Sequence, residues 1–222
     1  MKIIILQHIA CETPGYIKDL MIKDGLDLTT IELDEGETIP DDIKQFDGMF
    51  CMGGPMDTWM EKDYPWLVEE KKKIKEFVVE LEKPFLGFCL GCQLLGEVVG
   101  GQVVKSSPPE IGILDIQMGE EKKEDHLFSR FPNSIKALQW HSYEVHDLPS
   151  STNLLASSPE CKAQAFSSNN AFGLQFHIEQ TNDTVPQWAC VPEYKSALEK
   201  TLGPNALEKF KKNVEENLSL FN

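Results

Sequence analysis

A chain of 222 residues, 41% hydrophobic and 26% charged, is long enough for one sizeable α/β domain over residues 1–222 and has an ordinary globular composition. Its formal net charge of -15 repels phosphate backbones, so no nucleic-acid partner is expected. No apolar stretch approaches the roughly 20 residues that a membrane-crossing helix needs, and six cysteines are too sparse for a disulfide framework. Without a small-residue cleavage site after the first apolar run, the thiols are expected reduced and the location cytoplasmic.

Residues 3–6 form a continuous apolar run, as in a strand covered on both faces. Ile17, Leu20 and Met21 follow at helical spacing, and Gly25 can close that helix. Strands fit residues 28–33 and 48–52, the latter running into Gly53-Gly54-Pro55. A helix follows with Pro65 in its first turn and Leu67, Ile74, Phe77, Val78 and Leu81 on one face. Lys83-Pro84 ends it and launches a strand over residues 85–88. After Cys89 the pattern of Leu94, Leu95, Val98 and Val99 is helical and stops at Gly100-Gly101. This alternation predicts a parallel sheet with helices on both faces. The second half is richer in strands, predicted over residues 113–118, 135–140, 154–157, 163–167 and 172–176. Residues 181–204, with Pro186, Pro192 and Pro204, read as irregular, either a lid or a packed surface excursion, and Leu207, Phe210, Val214 and Leu218 as a final amphipathic helix.

The strongest local signal is Gly87-Phe88-Cys89-Leu90-Gly91, set between a strand and a helix. This is the pattern of a nucleophile elbow with cysteine in place of serine. Small flanking residues permit the sharp turn that lifts the central side chain over the carboxyl edge of the sheet. The helix N-terminus beneath it favours the reactive thiolate. Such a nucleophile needs a proton acceptor that later becomes the donor to the leaving group. Of His8, His126, His141, His146 and His177, the last follows an apolar strand, and Glu179 lies two residues on. In extended backbone these two side chains point the same way, so Glu179 can orient the imidazole.

These blocks resemble the class I (triad) glutamine amidotransferases. Residues 87–95 resemble the cysteine elbow of that family, Gln175-Phe176-His177-Ile178-Glu179 its His-Pro-Glu segment, and Gly53-Gly54-Pro55 its oxyanion loop. Trp140-His141-Ser142-Tyr143 is similar to the segment that holds the α-amino and α-carboxylate groups of glutamine. The Leu6-Gln7-His8 start and Tyr64-Pro65-Trp66-Leu67 look like the stand-alone, GMP-synthase-like branch. The resemblance covers most of the chain. It implies a flavodoxin-like open, mostly parallel sheet and a catalytic set of Cys89, His177 and Glu179. It also implies oxyanion donors on Gly54 and Leu90, and a substrate wall of Gly53, Gln93, His141, Ser142 and Tyr143. The implied reaction releases glutamate and ammonia from glutamine through a γ-glutamyl thioester, with no metal or organic cofactor. The ammonia would go to a separately encoded synthase or to no acceptor at all. Two positions depart from the family pattern: Cys92 stands where many members have histidine, and Ile178 where proline is usual.

Three other readings compete. A γ-glutamyl peptidase would use the same thioester with a different leaving group. Cys89 and Cys92 form a C-x-x-C pair that could exchange electrons, but that reading leaves the flanking glycines and the distant His-x-Glu unexplained. A regulatory module retaining the fold would not need the three reactive side chains. Lys71-Lys72-Lys73 reads as a solvated face, His8 and Cys11 as first-loop residues that either line the pocket or are ordinary loop positions, Trp59, Trp66 and Trp188 as packing, and Cys51, Cys161 and Cys190 as small apolar fillers.

Overall fold

The protein is described by a computed structural model that covers residues 1–121, 125 and 127–218. His126 therefore lies outside the described residues. Strands β1 (Lys2–Gln7), β2 (Asp27–Glu32), β3 (Gly48–Cys51), β4 (Phe85–Phe88), β5 (Gln102–Met118), β6 (Ser134–His146), β7 (Asn153–Ser157), β8 (Ala165–Ser168) and β9 (Ala171–Leu174) form one open sheet. Its order is β2-β1-β3-β4-β9-β8-β7-β5-β6. The pairings from β2 to β9 are parallel. Those from β9 to β6 are antiparallel.

The apolar run at the start explains the layering. Ile4 and Leu6 pack with Leu67, Ile74 and Phe77 of helix α2 (Trp66–Lys75) and its following π-turn, and with Leu94 and Leu95 of α3 (Leu90–Val98). Ile3 and Ile5 alternate to the opposite face, beside Ile17 and Met21 of α1 (Gly15–Lys23). A strand buried on both faces is therefore apolar throughout, as residues 3–6 are, whereas the edge strand β2, with Thr29, Thr30 and Glu32, is not. Among the described residues no helix is long and apolar enough to cross a membrane.

The second half departs from expectation in length and order. β5 and β6 are longer than the predicted 113–118 and 135–140, because an antiparallel ladder continues past a register shift between Lys105 and Glu110. Pro108-Pro109, which argue against a strand in sequence, sit in that irregularity. Residues 181–204 are not irregular but helical, and they are packed on the sheet. They hold α4 (Thr184–Trp188) and α5 (Pro192–Leu202), which lie with α6 (Ala206–Asn217) over β5 and β6. The prolines mislead because Pro192 occupies the first turn of a helix and Pro204 follows the end of one, positions that tolerate proline.

Candidate active site

Cys89 stands between β4 and α3 with φ 48° and ψ -101°, backbone that an L-residue rarely adopts. Such strain costs about 1–3 kcal/mol and persists only where the surroundings over-determine it. Here the Cys89 N–H donates to the Leu174 carbonyl at 2.8 Å, and the Gly91 N–H donates to the Met52 carbonyl at 3.1 Å. The flanking glycines are steric necessities. A Cβ on Gly87 would lie 2.4 Å from the Gly91 oxygen, and one on Gly91 would lie 2.1 Å from the Cys51 oxygen.

His177 arrives from beyond β9 and is held on every side. Its N–H donates to the Leu138 carbonyl at 2.9 Å, and its own carbonyl accepts from Gln180 Nε2 at 2.6 Å. The ring Nδ1 is 2.6 Å from Glu179 Oε1, while Glu179 Oε2 accepts from the Ile178 N–H at 2.9 Å. With Nδ1 donating to the carboxylate, Nε2 is left for the Cys89 sulfur, which lies near enough to act on the charge of this ring. Burial pulls the imidazole pKa down, but the Glu179 carboxylate and the Cys89 sulfur outweigh it and hold the value well above the ordinary histidine range. Trp188 of α4 packs edge-on against the ring at 4.6 Å between centroids. It is a packing residue, as expected from the sequence, and what it packs against is His177.

Cys89 opens into a cavity of about 190 Å³, lined also by Gly54, Leu90, Gln93, Trp140, His141, Ser142, Tyr143, Glu193 and Tyr194. Among the described residues, neither the Gly54 N–H nor the Leu90 N–H is taken by a protein acceptor. Two free donors beside one sulfur are what a developing oxyanion requires. Gln93 spans the floor, its Nε2 donating to the Tyr143 carbonyl at 3.1 Å and to Gln175 Oε1 at 3.2 Å.

Two predicted substrate-wall residues sit differently from the rest. Gly53 does not line the cavity; its carbonyl faces the His8 ring. His141 lines it, but both ring nitrogens are engaged by protein, Nδ1 by the Tyr143 carbonyl at 3.0 Å and Nε2 by Glu110 Oε2 at 3.1 Å. Glu110 also accepts from Ser158 at 2.7 Å and from Gln164 Nε2 at 2.7 Å. Burial alone would raise the Glu110 pKa; bonds from His141, Ser158 and Gln164 reverse that and hold it below the usual carboxylate range. His8 and Cys11 do not line the cavity either: His8 is fully buried behind the Gly53-Gly54 loop.

Several participants give no sign of themselves in the sequence. Glu12 is a second buried carboxylate at the His177–Glu179 pair; its Oε1 accepts from the Tyr194 hydroxyl at 2.5 Å. Burial pushes its pKa up, against the pull of His177. Gly15, at φ 47°, lets the first turn of α1 approach the Glu179 carbonyl, which accepts from the Tyr16 N–H at 2.9 Å; a Cβ there would lie 1.9 Å from that oxygen. Two groups, Glu12–His177–Glu179 and His8–Cys51–Glu70, bring potential ligand atoms within 4.8 Å. In both, histidine nitrogens are already committed to protein acceptors. Cys92 is wholly buried beneath the sheet against Gly173 and Phe166, with its thiol pKa pushed well up by burial. Cys190 is exposed, not an apolar filler, and Lys73 is buried with its Nζ donating to the Asp41 carbonyl at 2.9 Å, not solvated.

Fold and cavity together define a class. A glutamine amidotransferase of Thermotoga maritima superimposes with a TM-score of 0.87 at 27% identity, covering 100% of this chain and 93% of that one. A glutamine amidotransferase of Methylobacillus flagellatus does so at 0.78 and 26% identity, covering 86% and 75%. Residues 16–186 match the glutamine amidotransferase class-I family, well over half of the chain, and the protein belongs to that family. Among its relatives, a subunit of the glutamine-hydrolysing GMP synthase of Sulfolobus acidocaldarius is 34% identical over 171 residues, which is 74% of this chain and 85% of that protein.

Proposed function

We propose that this protein hydrolyses the side-chain amide of glutamine through a thioester on Cys89. The Cys89 thiolate attacks the amide carbon, and charge develops on the carbonyl oxygen in front of the Gly54 and Leu90 N–H groups. Losing one such donor typically costs about 3–4 kcal/mol of barrier. Protonated His177, oriented by Glu179, gives its proton to the leaving nitrogen, and ammonia departs. His177 then takes a proton from water, which attacks the thioester and releases glutamate. One observation carries the reading: Cys89, which acts on the ring of the buried His177–Glu179 pair, lines one cavity with Gly54 and Leu90, whose backbone donors are unclaimed. Its volume of about 190 Å³ is below the roughly 300–1,000 Å³ of typical drug-sized pockets, which favours a single amino acid over a longer peptide.

Relatives that bear the name of one subunit of a glutamine-hydrolysing GMP synthase favour a separate synthase subunit as the acceptor of ammonia from this chain. Glutamate release should be measured from glutamine, γ-glutamyl dipeptides and glutathione, with Cys89→Ala as control. Glutamine is expected to be turned over best and Cys89→Ala to be silent while remaining folded. Turnover surviving in Cys89→Ala would refute the thioester, and preference for a dipeptide would reassign the leaving group.

A further inference from the structure

The oxyanion donor of the elbow, the Leu90 N–H, is aimed by the strained turn and by α3. Its partner, the Gly54 N–H, sits in a loop outside the helices and strands. A Gly-Gly peptide can rotate about its flanking dihedrals at little cost, so something else must aim it. The Gly53 carbonyl and the Gly54 N–H belong to the same planar trans peptide and point in opposite directions. Whatever holds the carbonyl therefore directs the N–H.

His8, immediately after β1, does this. Its Nδ1 lies 2.9 Å from the Gly53 oxygen and its Nε2 lies 2.8 Å from Glu70 Oε1. A carbonyl can only accept, so Nδ1 must carry a proton. Glu70, on α2, also accepts from the Cys51 thiol at 3.4 Å. Trp66 of the same helix stacks on the imidazole at 5.4 Å and 20° between planes, and both His8 and Glu70 are fully buried. Burial lowers the His8 pKa, but Glu70 and the Gly53 carbonyl more than reverse that. A Cβ on Gly54 would lie 3.0 Å from the His8 Cβ, which places the imidazole directly behind the donor loop.

We infer that His8, anchored by Glu70, is a positioning residue that clamps the Gly53–Gly54 peptide with its N–H toward the substrate oxygen. This rests on the thioester reading above. Two near-isosteric variants divide its two bonds. In His8→Asn the side-chain amide nitrogen replaces Nδ1, keeping the Gly53 bond and losing Glu70. In His8→Gln it replaces Nε2, keeping Glu70 and releasing Gly53. Misaiming one donor forfeits part of the hundredfold to thousandfold that such a donor supplies. His8→Gln should therefore lower kcat by about tenfold to a hundredfold, with KM within threefold and with unchanged alkylation of Cys89 by iodoacetamide, which builds no oxyanion. His8→Asn should lose less kcat but more thermal stability, because it orphans a buried carboxylate. If His8→Asn does not fold, the double variant His8→Asn/Glu70→Gln replaces it. Equal kcat losses in the two variants, unimpaired kcat in His8→Gln, or alkylation falling in step with turnover would each overturn the clamp. A scalar coupling across the bond from His8 Nδ1 to the Gly53 carbonyl carbon needs no substrate. Its presence in wild type that releases no glutamate would retain the clamp and reject the reaction; its absence would reject the clamp itself.

Discussion

The two halves of the sheet build their shares of the site by different means. The parallel half supplies the proposed nucleophile and both proposed oxyanion donors largely through backbone: a strained turn, glycines that nothing larger can replace, and free N–H groups. The antiparallel half and the helices over it supply the proposed base and the cavity wall through side chains joined across long stretches of sequence. His141 bonds Glu110, Gln93 bonds Gln175, and Trp188 packs on His177. Backbone geometry tolerates almost no substitution, whereas a hydrogen-bonded network gives way in graded steps.

The largest effect should come from Gly91→Ala. Its Cβ would meet backbone, which cannot swing aside, so a loss of about 3 kcal/mol or more is expected together with loss of activity, read by chemical denaturation and glutamate release. A fully stable, active Gly91→Ala would mean that the parallel half is more pliant than its geometry implies. Glu179→Gln should come next, with kcat/KM down roughly a hundredfold, less than for Cys89→Ala. It should also alter the pH profile in a set direction. The alkaline limb falls where His177 loses its proton, and the Glu179 carboxylate raises that point. Removing the charge should move the limb to lower pH; a limb that stays or rises would dissociate Glu179 from the imidazole. Glu110→Gln should be mildest, costing about 1–2 kcal/mol of stability and raising KM more than it lowers kcat, because it loosens the wall around His141 and leaves Cys89 untouched. A kcat loss matching that of Glu179→Gln would erase the distinction between base and wall.

That same division explains what can be read from sequence. The inner parallel strands β1, β3 and β4 are legible because burial on both faces makes them largely apolar, and the elbow because glycine requirements are local. His177 and Glu179 are legible because two residues on one extended stretch share a face. Glu110, Glu12, His8 and Glu70 are not, since a buried carboxylate looks like any surface acid until its partner, 31 residues away for Glu110 and 62 for the His8–Glu70 pair, is known. The α4–α5 segment hides its helices because its prolines sit where helices accept them. Gly15 gives no signal beyond that of an ordinary helix start, since the atom it must avoid belongs to Glu179.

Irreversible labelling with a chloroketone analogue of glutamine, followed by peptide mapping, bears most directly on the reaction. Saturable modification of Cys89, prevented by glutamine and greatly slowed in a His177→Ala variant, is the expected outcome. Labelling that ignores glutamine and falls equally on exposed Cys190, while wild-type protein still releases glutamate, would contradict it.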